Sequence, residues 1–119
     1  MTLVDSSVWV DHFRKGDSRL AELLEESLAA THECVIGELM CGSMRDRGRT
    51  LEDLNALPRL ASATSREVLH LLDRERLFGL GLGWVDVHLL AAAKLSHALL
   101  YTRDRALAAA AQRLGIIGS

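Results

Sequence analysis

Thr2-Leu3-Val4-Asp5-Ser6-Ser7-Val8-Trp9-Val10-Asp11 is the stretch that decides the fold. Its apolar start ends on an acid, and hydroxyl residues then precede a second apolar pattern. The expectation is a short buried strand over Thr2–Asp5, then a helix capped by Ser6 or Ser7 and running to about Arg14. A strand without polar alternation belongs in a parallel sheet covered on both faces. The same unit recurs along the chain. Asp17 or Ser18 opens a helix with Leu20, Leu23, Leu24 and Leu28 at helical spacing, and Ala29–His32 is a weak strand. Helices follow over about Glu33–Ser43, closed near Gly42, and Arg49–Leu57, stopped by Pro58. Leu60–Ala63 reads as a strand, and Thr64 or Ser65 with Glu67 forms a capping-box pattern opening a helix to about Phe78. Trp84–His97 is helical, Ala98–Tyr101 a strand and Arg103–Leu114 a last helix; Ile116-Ile117 adds a final short strand. Strands alternating with amphipathic helices predict a three-layer α/β/α architecture around a mostly parallel sheet of four to five strands.

Composition sets the outer limits. The 119 residues are 49% hydrophobic and 25% charged, which supports one domain over residues 1–119 and excludes disorder. Charges interrupt every apolar run, so no membrane span is expected, and Met1-Thr2-Leu3-Val4-Asp5 lacks the pattern of a secretory signal. The two cysteines, Cys34 and Cys41, lie seven residues apart on one helix, a rise of about 10 Å that no disulfide spans. A reducing cytoplasm is the expected location. The net charge of −2 argues against a nucleic-acid partner, yet Arg supplies nearly all of the 14 basic residues, with only Lys15 and Lys94 besides. Arginine is the side chain suited to bidentate phosphate contact.

Four acids stand in apolar settings. Asp5 ends the first strand, and Asp104 follows Leu99-Leu100-Tyr101-Thr102 at the start of the last helix. Carboxyl ends of strands are where open α/β sheets place function. Glu38 sits in Cys34-Val35-Ile36-Gly37-Glu38-Leu39-Met40-Cys41, on one stripe with Cys34, Cys41 and Arg45. Asp86 lies in the first helical turn after Gly83-Trp84-Val85. Each alone has an ordinary reading: a turn or N-cap aspartate for Asp5 and Asp104, a bridge to Arg45 for Glu38, a helix-dipole acid for Asp86. Together they suggest clustered carboxylates, which repel unless a cation lies between them. All-oxygen ligation suits Mg²⁺ or Mn²⁺ rather than zinc, and such a centre serves phosphodiester hydrolysis. Assigning these acids to a metal pocket leaves the remaining surface net basic.

Leu3-Val4-Asp5-Ser6-Ser7-Val8-Trp9-Val10-Asp11, Val35-Ile36-Gly37-Glu38-Leu39, Gly83-Trp84-Val85-Asp86-Val87-His88-Leu89 and Thr102-Arg103-Asp104-Arg105-Ala106-Leu107 form an ordered set. In order and separation the set resembles the PIN-domain ribonucleases, specifically VapC-type toxins of type II toxin–antitoxin systems, over essentially the whole chain. The resemblance implies an acidic quartet at Asp5, Glu38, Asp86 and Asp104, with Asp5 and Asp86 the most direct Mg²⁺ ligands. Glu38 and Asp104 then complete the site and orient the attacking water. It further implies that Ser6 or Ser7 supports the Asp5 carboxylate. The implied partners are an RNA substrate (tRNA or ribosomal RNA), a second copy in a homodimer, and a cognate antitoxin whose C-terminal segment occupies the active-site groove.

Arg103 and Arg105 flank Asp104 and are candidate RNA contacts; solvated helix-start arginines are the ordinary alternative. The stretch Arg45, Arg47 and Arg49, diluted by Asp46, reads first as a solvated loop and second as an RNA-backbone or antitoxin contact. Glu33 is an extra acid before the Cys34–Cys41 helix, with its facing open. Gly79-Leu80-Gly81-Leu82-Gly83 lacks the Gly-Lys-Ser/Thr ending of a P-loop and reads as a connector. Leucines of the first two helices and Leu51-Leu54-Leu57 suggest a partner groove or dimer surface. A receiver-like phospho-acceptor domain needs an acidic pair after the first strand and a lysine near the last, which this chain lacks. A catalytically inactive PIN-like binding module is the remaining alternative to an enzyme.

Overall fold

β1 (Thr2–Val4) is the middle strand of a parallel three-stranded sheet in the order β2-β1-β3, where β2 is Ala29–Ala30 and β3 is Leu99–Tyr101. The computed structural model describes residues 1–118; Ser119, the last residue of the expected domain, lies outside the described residues. In register, Thr2 pairs with Ala29 and Leu99, and Val4 with Tyr101. Leu3, Val4 and Leu100 are fully buried, as expected for strands covered on both sides.

Helices flank this sheet. α1 (Ser6–Lys15) and α2 (Ser18–Glu25) connect β1 to β2, while α3 (Glu33–Cys41), α4 (Arg47–Asn55), α5 (Ser65–Arg74) and α6 (Trp84–Leu95) intervene before β3. α7 (Arg105–Arg113) follows. From β1 the chain crosses to one edge, and after β3 it goes to the other, where Leu100 bridges Ile117. The connections therefore diverge between the carboxyl ends of β1 and β3, where a crevice opens.

Among the described residues the sheet has three strands, not the expected four to five. Leu60–Ala63 is not a strand: the pairing is one bridge, Thr31 to Arg59, made by Thr31 N–H on Pro58 O and Leu60 N–H on Thr31 O (2.8 and 2.9 Å). The chain then turns off, because Thr64 caps α5 through the predicted box with Glu67. Ile116-Ile117 likewise makes a single bridge, with Leu100. One pair fixes too little backbone to propagate a ladder at an edge.

α5 ends at Arg74, short of Phe78, where Arg76 adopts φ 53° and Leu77 turns into the core. α2 ends at Glu25, with Ser27 at φ 57°, so Leu28 is off the helical stripe and exposed. Leu20, Leu23 and Leu54 are within 2% of complete burial and fill the core, while Leu24, Leu51 and Leu57 are half-buried against it. Gly79 and Gly81 take φ of 73° and 80°, left-handed values open to glycine, as the connector leads into α6.

Candidate active site

Asp5 stands one residue past β1, 6% exposed, as the residue before α1, but its carboxylate does not cap that helix. Instead Asp5 Oδ2 accepts hydrogen bonds from Ser7 Oγ and Thr102 Oγ1, each 2.7 Å. Arg103 N–H in turn donates to Ser7 Oγ at 3.0 Å. Ser7 and Thr102 thus orient Asp5 from the two strand ends bordering the crevice. Ser6 does not share this role; its hydroxyl donates to Glu38 Oε1 across to α3 at 3.1 Å.

Glu38 is therefore held by Ser6 rather than by Arg45, because α3 stops at Cys41 and Arg45 leaves the helical stripe. Asp86, in the first turn of α6, accepts from Gly83 N–H through Oδ2 at 2.9 Å. Asp104 caps α7, its Oδ1 accepting from Leu107 N–H at 2.9 Å. All four acids line one open cleft of about 420 Å³ together with Ser6 and Ser7.

The electrostatics follow from that convergence. Glu38 is raised above the usual carboxylate range by partial burial, opposed by the Ser6 hydrogen bond and reinforced by Asp5 and Asp86. Asp86 is also raised, first by burial, then against the Gly83 bond by Asp104 and Asp5. Each carboxylate has one oxygen engaged by a donor of the chain, while the other has no hydrogen-bond partner among the described residues. Glu38 and Asp86, raised by burial and by their acidic neighbours, converge with Asp5 and Asp104 on one cleft, each acid with an uncommitted oxygen, an arrangement that suits a hard divalent cation. Among the described residues, no three His, Cys, Asp or Glu side chains form a ready-made cage for an ion. The donor set matches the way Mg²⁺ binds, through one or two carboxylates with retained waters.

Arg103 is on the cleft wall; Arg105, exposed in the first turn of α7, is not among its lining residues. The Arg103 guanidinium is engaged by Asp17 and, at 3.7 Å, by Asp11. Glu33 is outside the cleft lining and accepts from Ser62 Oγ at 2.6 Å. Trp9 is 5% exposed and packs against Phe13, whereas Trp84 is 47% exposed with its ring edge-on to His88 at 4.8 Å. Sequence reasoning missed Thr102 and Asp17 as parts of the site. The signal for Thr102 was its place at the end of β3, opposite Asp5; Asp17 carried none beyond helix capping.

Comparison with known proteins gives the family and the fold. The family model described as "PIN domain" matches residues 2–113. The chain is 45% identical over 117 residues to Ribonuclease VapC32 of Mycobacterium tuberculosis, in strains CDC 1551/Oshkosh and ATCC 25618/H37Rv, covering 98% of this chain and 94% of the relative. Among solved structures, PAE2754 from Pyrobaculum aerophilum superposes with a TM-score of 0.66 at 20% identity, covering 91% of this chain and 82% of that one. A toxin–antitoxin complex from Klebsiella pneumoniae gives 0.68 at 22% identity, covering 87% of each. The parallel sheet flanked by helices, the matched model and the near-full-length relatives lead to one assignment: this chain belongs to the PIN-domain family, in its VapC-type branch.

Proposed function

We propose that this chain is a metal-dependent endoribonuclease, the toxin of a type II toxin–antitoxin pair, hydrolysing phosphodiester bonds of tRNA or ribosomal RNA. The observation that carries the reading is the convergence of Asp5, Glu38, Asp86 and Asp104 on one cleft, each with an uncommitted carboxylate oxygen. The M. tuberculosis relatives are ribonucleases by name, which supports the activity. The K. pneumoniae neighbour is a toxin–antitoxin complex, which supports an antitoxin partner.

These four acids would hold Mg²⁺ or Mn²⁺, Asp5 and Asp86 most directly. When bound, such an ion lowers the pKa of water and neutralises charge developing on the phosphoryl group. The chain supplies orientation. Ser7 and Thr102 fix the Asp5 carboxylate, Ser6 fixes Glu38, and backbone N–H groups of Gly83 and Leu107 fix Asp86 and Asp104. Glu38 and Asp104 orient the attacking water, and Arg103 and Arg105 contact the RNA backbone. The reading includes a single catalytic domain, a cytoplasmic location and a homodimer. No helix among the described residues is long and apolar enough to cross a membrane. Leu69 on α5 and Leu95 on α6, each more than half exposed, leave apolar surface suited to a second copy.

The test incubates the partner-free chain with total RNA in Mg²⁺, in Mn²⁺ and in EDTA. Discrete cleavage that requires the ion and disappears in Asp5→Asn and Asp86→Asn is expected. Cleavage unchanged in both folded variants would overturn the site. No cleavage by the native chain under any condition would favour an inactive binding module.

A further inference from the structure

A second groove, about 500 Å³, runs from the acidic cleft between α1 and the segment after α3. The two share Ser6, Val10 and Glu38 as walls, so they adjoin. The floor is apolar, with Val10 45% and Phe13 47% exposed. Phe13 is steadied by the Trp9 ring at 5.7 Å and 35°, yet keeps much of its surface open. Arg14, Arg45 and Asp46 also line this groove, all exposed, and neither guanidinium has a hydrogen-bond or ion-pair partner among the described residues. Arg45 belongs to the basic stretch that the acidic site leaves unexplained.

We propose that this groove binds the single-stranded RNA flanking the cleaved bond, with an unpaired base stacked on Phe13 and backbone phosphates held by Arg14 and Arg45. The proposal rests on the ribonuclease reading of the acidic cleft. A strand whose phosphodiester lies among the four acids must continue out of the open cleft, and the adjoining groove lies beside it. A flat base and a polyanion together satisfy the aromatic ring and the two unpaired guanidinium groups. An apolar peptide would cover Val10 and Phe13 but leave the arginines without anions. A base locked in a duplex offers no face to Phe13, so the site selects unpaired nucleotides beside the cut.

The test measures fluorescence anisotropy of a labelled short single-stranded RNA and of the matching duplex, in EDTA and in Ca²⁺. The proteins are the native chain, Phe13→Leu and the double variant Arg14→Gln/Arg45→Gln. All three positions are exposed, and circular dichroism verifies folding. The double variant is expected to bind about tenfold more weakly, with a log–log salt slope shallower by about 1.4, roughly 0.7 per lost phosphate contact. Phe13→Leu is expected to lose about fivefold or more on single strands, with the slope unchanged and duplex affinity unaffected. If the native chain cuts RNA while the variants bind with native affinity and slope, the groove assignment falls alone. Variants that keep RNA binding but lose the antitoxin give the groove to a protein and overturn the proposal. A native chain that neither binds nor cuts RNA brings down the ribonuclease reading, and this one with it.

Discussion

Arg103, on the cleft wall, is anchored to Asp17, 86 positions earlier in the sequence, whose side chain is only 1% exposed. Asp17 also accepts Leu20 N–H at 2.8 Å as the cap of α2, and the Tyr101 hydroxyl at 2.9 Å. One buried carboxylate thus ties the start of α2 to the turn after β3, the turn that carries Thr102 and Asp104. Arg103 passes the constraint on, since its backbone N–H holds the Ser7 hydroxyl that orients Asp5.

Asp17→Ala strands the Tyr101 hydroxyl and removes the helix cap. It is expected to cost about 2–3 kcal/mol in urea unfolding. Burial alone would raise the Asp17 carboxyl, but the Leu20 N–H, Arg103 and Tyr101 outweigh it and hold it below the usual range. A depressed carboxyl contributes stability above its unfolded value, near 3.8, that is lost as pH falls through the folded value. The native chain should therefore lose stability below about pH 4 in a step absent from Asp17→Ala.

Glu38 and Asp86 titrate with the opposite sign. Burial and neighbouring acids raise both, so their contribution is present at low pH and lost as pH rises through the folded values. In the absence of divalent ions, Glu38→Gln and Asp86→Asn should each raise Tm at pH 7, on the order of 2–4 °C, although both damage the site. Adding Mg²⁺ should raise Tm for the native chain and much less for the variants. Scanning calorimetry with and without EDTA checks both signs; lowered Tm in EDTA for both variants would contradict the mutual repulsion.

The four acids were legible because their signals are local: a strand end for Asp5 and Asp104, an apolar helix for Glu38, a first turn for Asp86. What was not legible depends on direction. Which serine meets Asp5 is set by how α1 leaves β1, and that places Ser7 inward and sends Ser6 to Glu38. Thr102 and Asp17 matter through contacts made 97 and 86 positions away, which no spacing rule encodes. The edge strands failed for a related reason. Leu60–Ala63 and Ile116-Ile117 have apolar composition, but the number of residues that pair depends on where the chain turns next, into the Thr64 cap for the first of them.

Ser7→Ala and Thr102→Val each remove one donor from the same atom, Asp5 Oδ2. Groups that orient a ligand carboxylate typically affect metal affinity or activity by about 10–100-fold. Each single variant should weaken Mn²⁺ binding within that range by calorimetry, with RNA cleavage falling in parallel. The double variant should lose less than the product of the two, because both act on one oxygen. Ser6→Ala should have a smaller effect on the ion, since it frees Glu38 rather than Asp5. A larger loss from Ser6→Ala than from Ser7→Ala would reverse this ordering.

His32 is completely buried at the start of α3, where Nδ1 accepts Cys34 N–H at 3.0 Å. An accepting Nδ1 places the proton of the neutral ring on Nε2, which faces Ser62 Oγ at 3.2 Å; Ser62 then donates to Glu33. Burial lowers the His32 pKa, with Glu33 opposing and His88 and Arg59 assisting. A histidine depressed in the folded state contributes stability above its unfolded value, near 6.5, and loses it as pH falls toward the folded value. Charging the ring would also replace the acceptor on Cys34 N–H with a second donor, releasing the α3 cap. Long-range ¹⁵N–¹H correlation should therefore show the Nε2–H tautomer at pH 7, with no titration of this ring at pH 6.5. Ser62→Ala should leave the Nδ1 contact intact while removing the link to Glu33. His32→Ala should lose the cap and cost about 3 kcal/mol, from the cavity and the stranded N–H together. An Nδ1–H tautomer at pH 7 would show that the cap on α3 is not built this way.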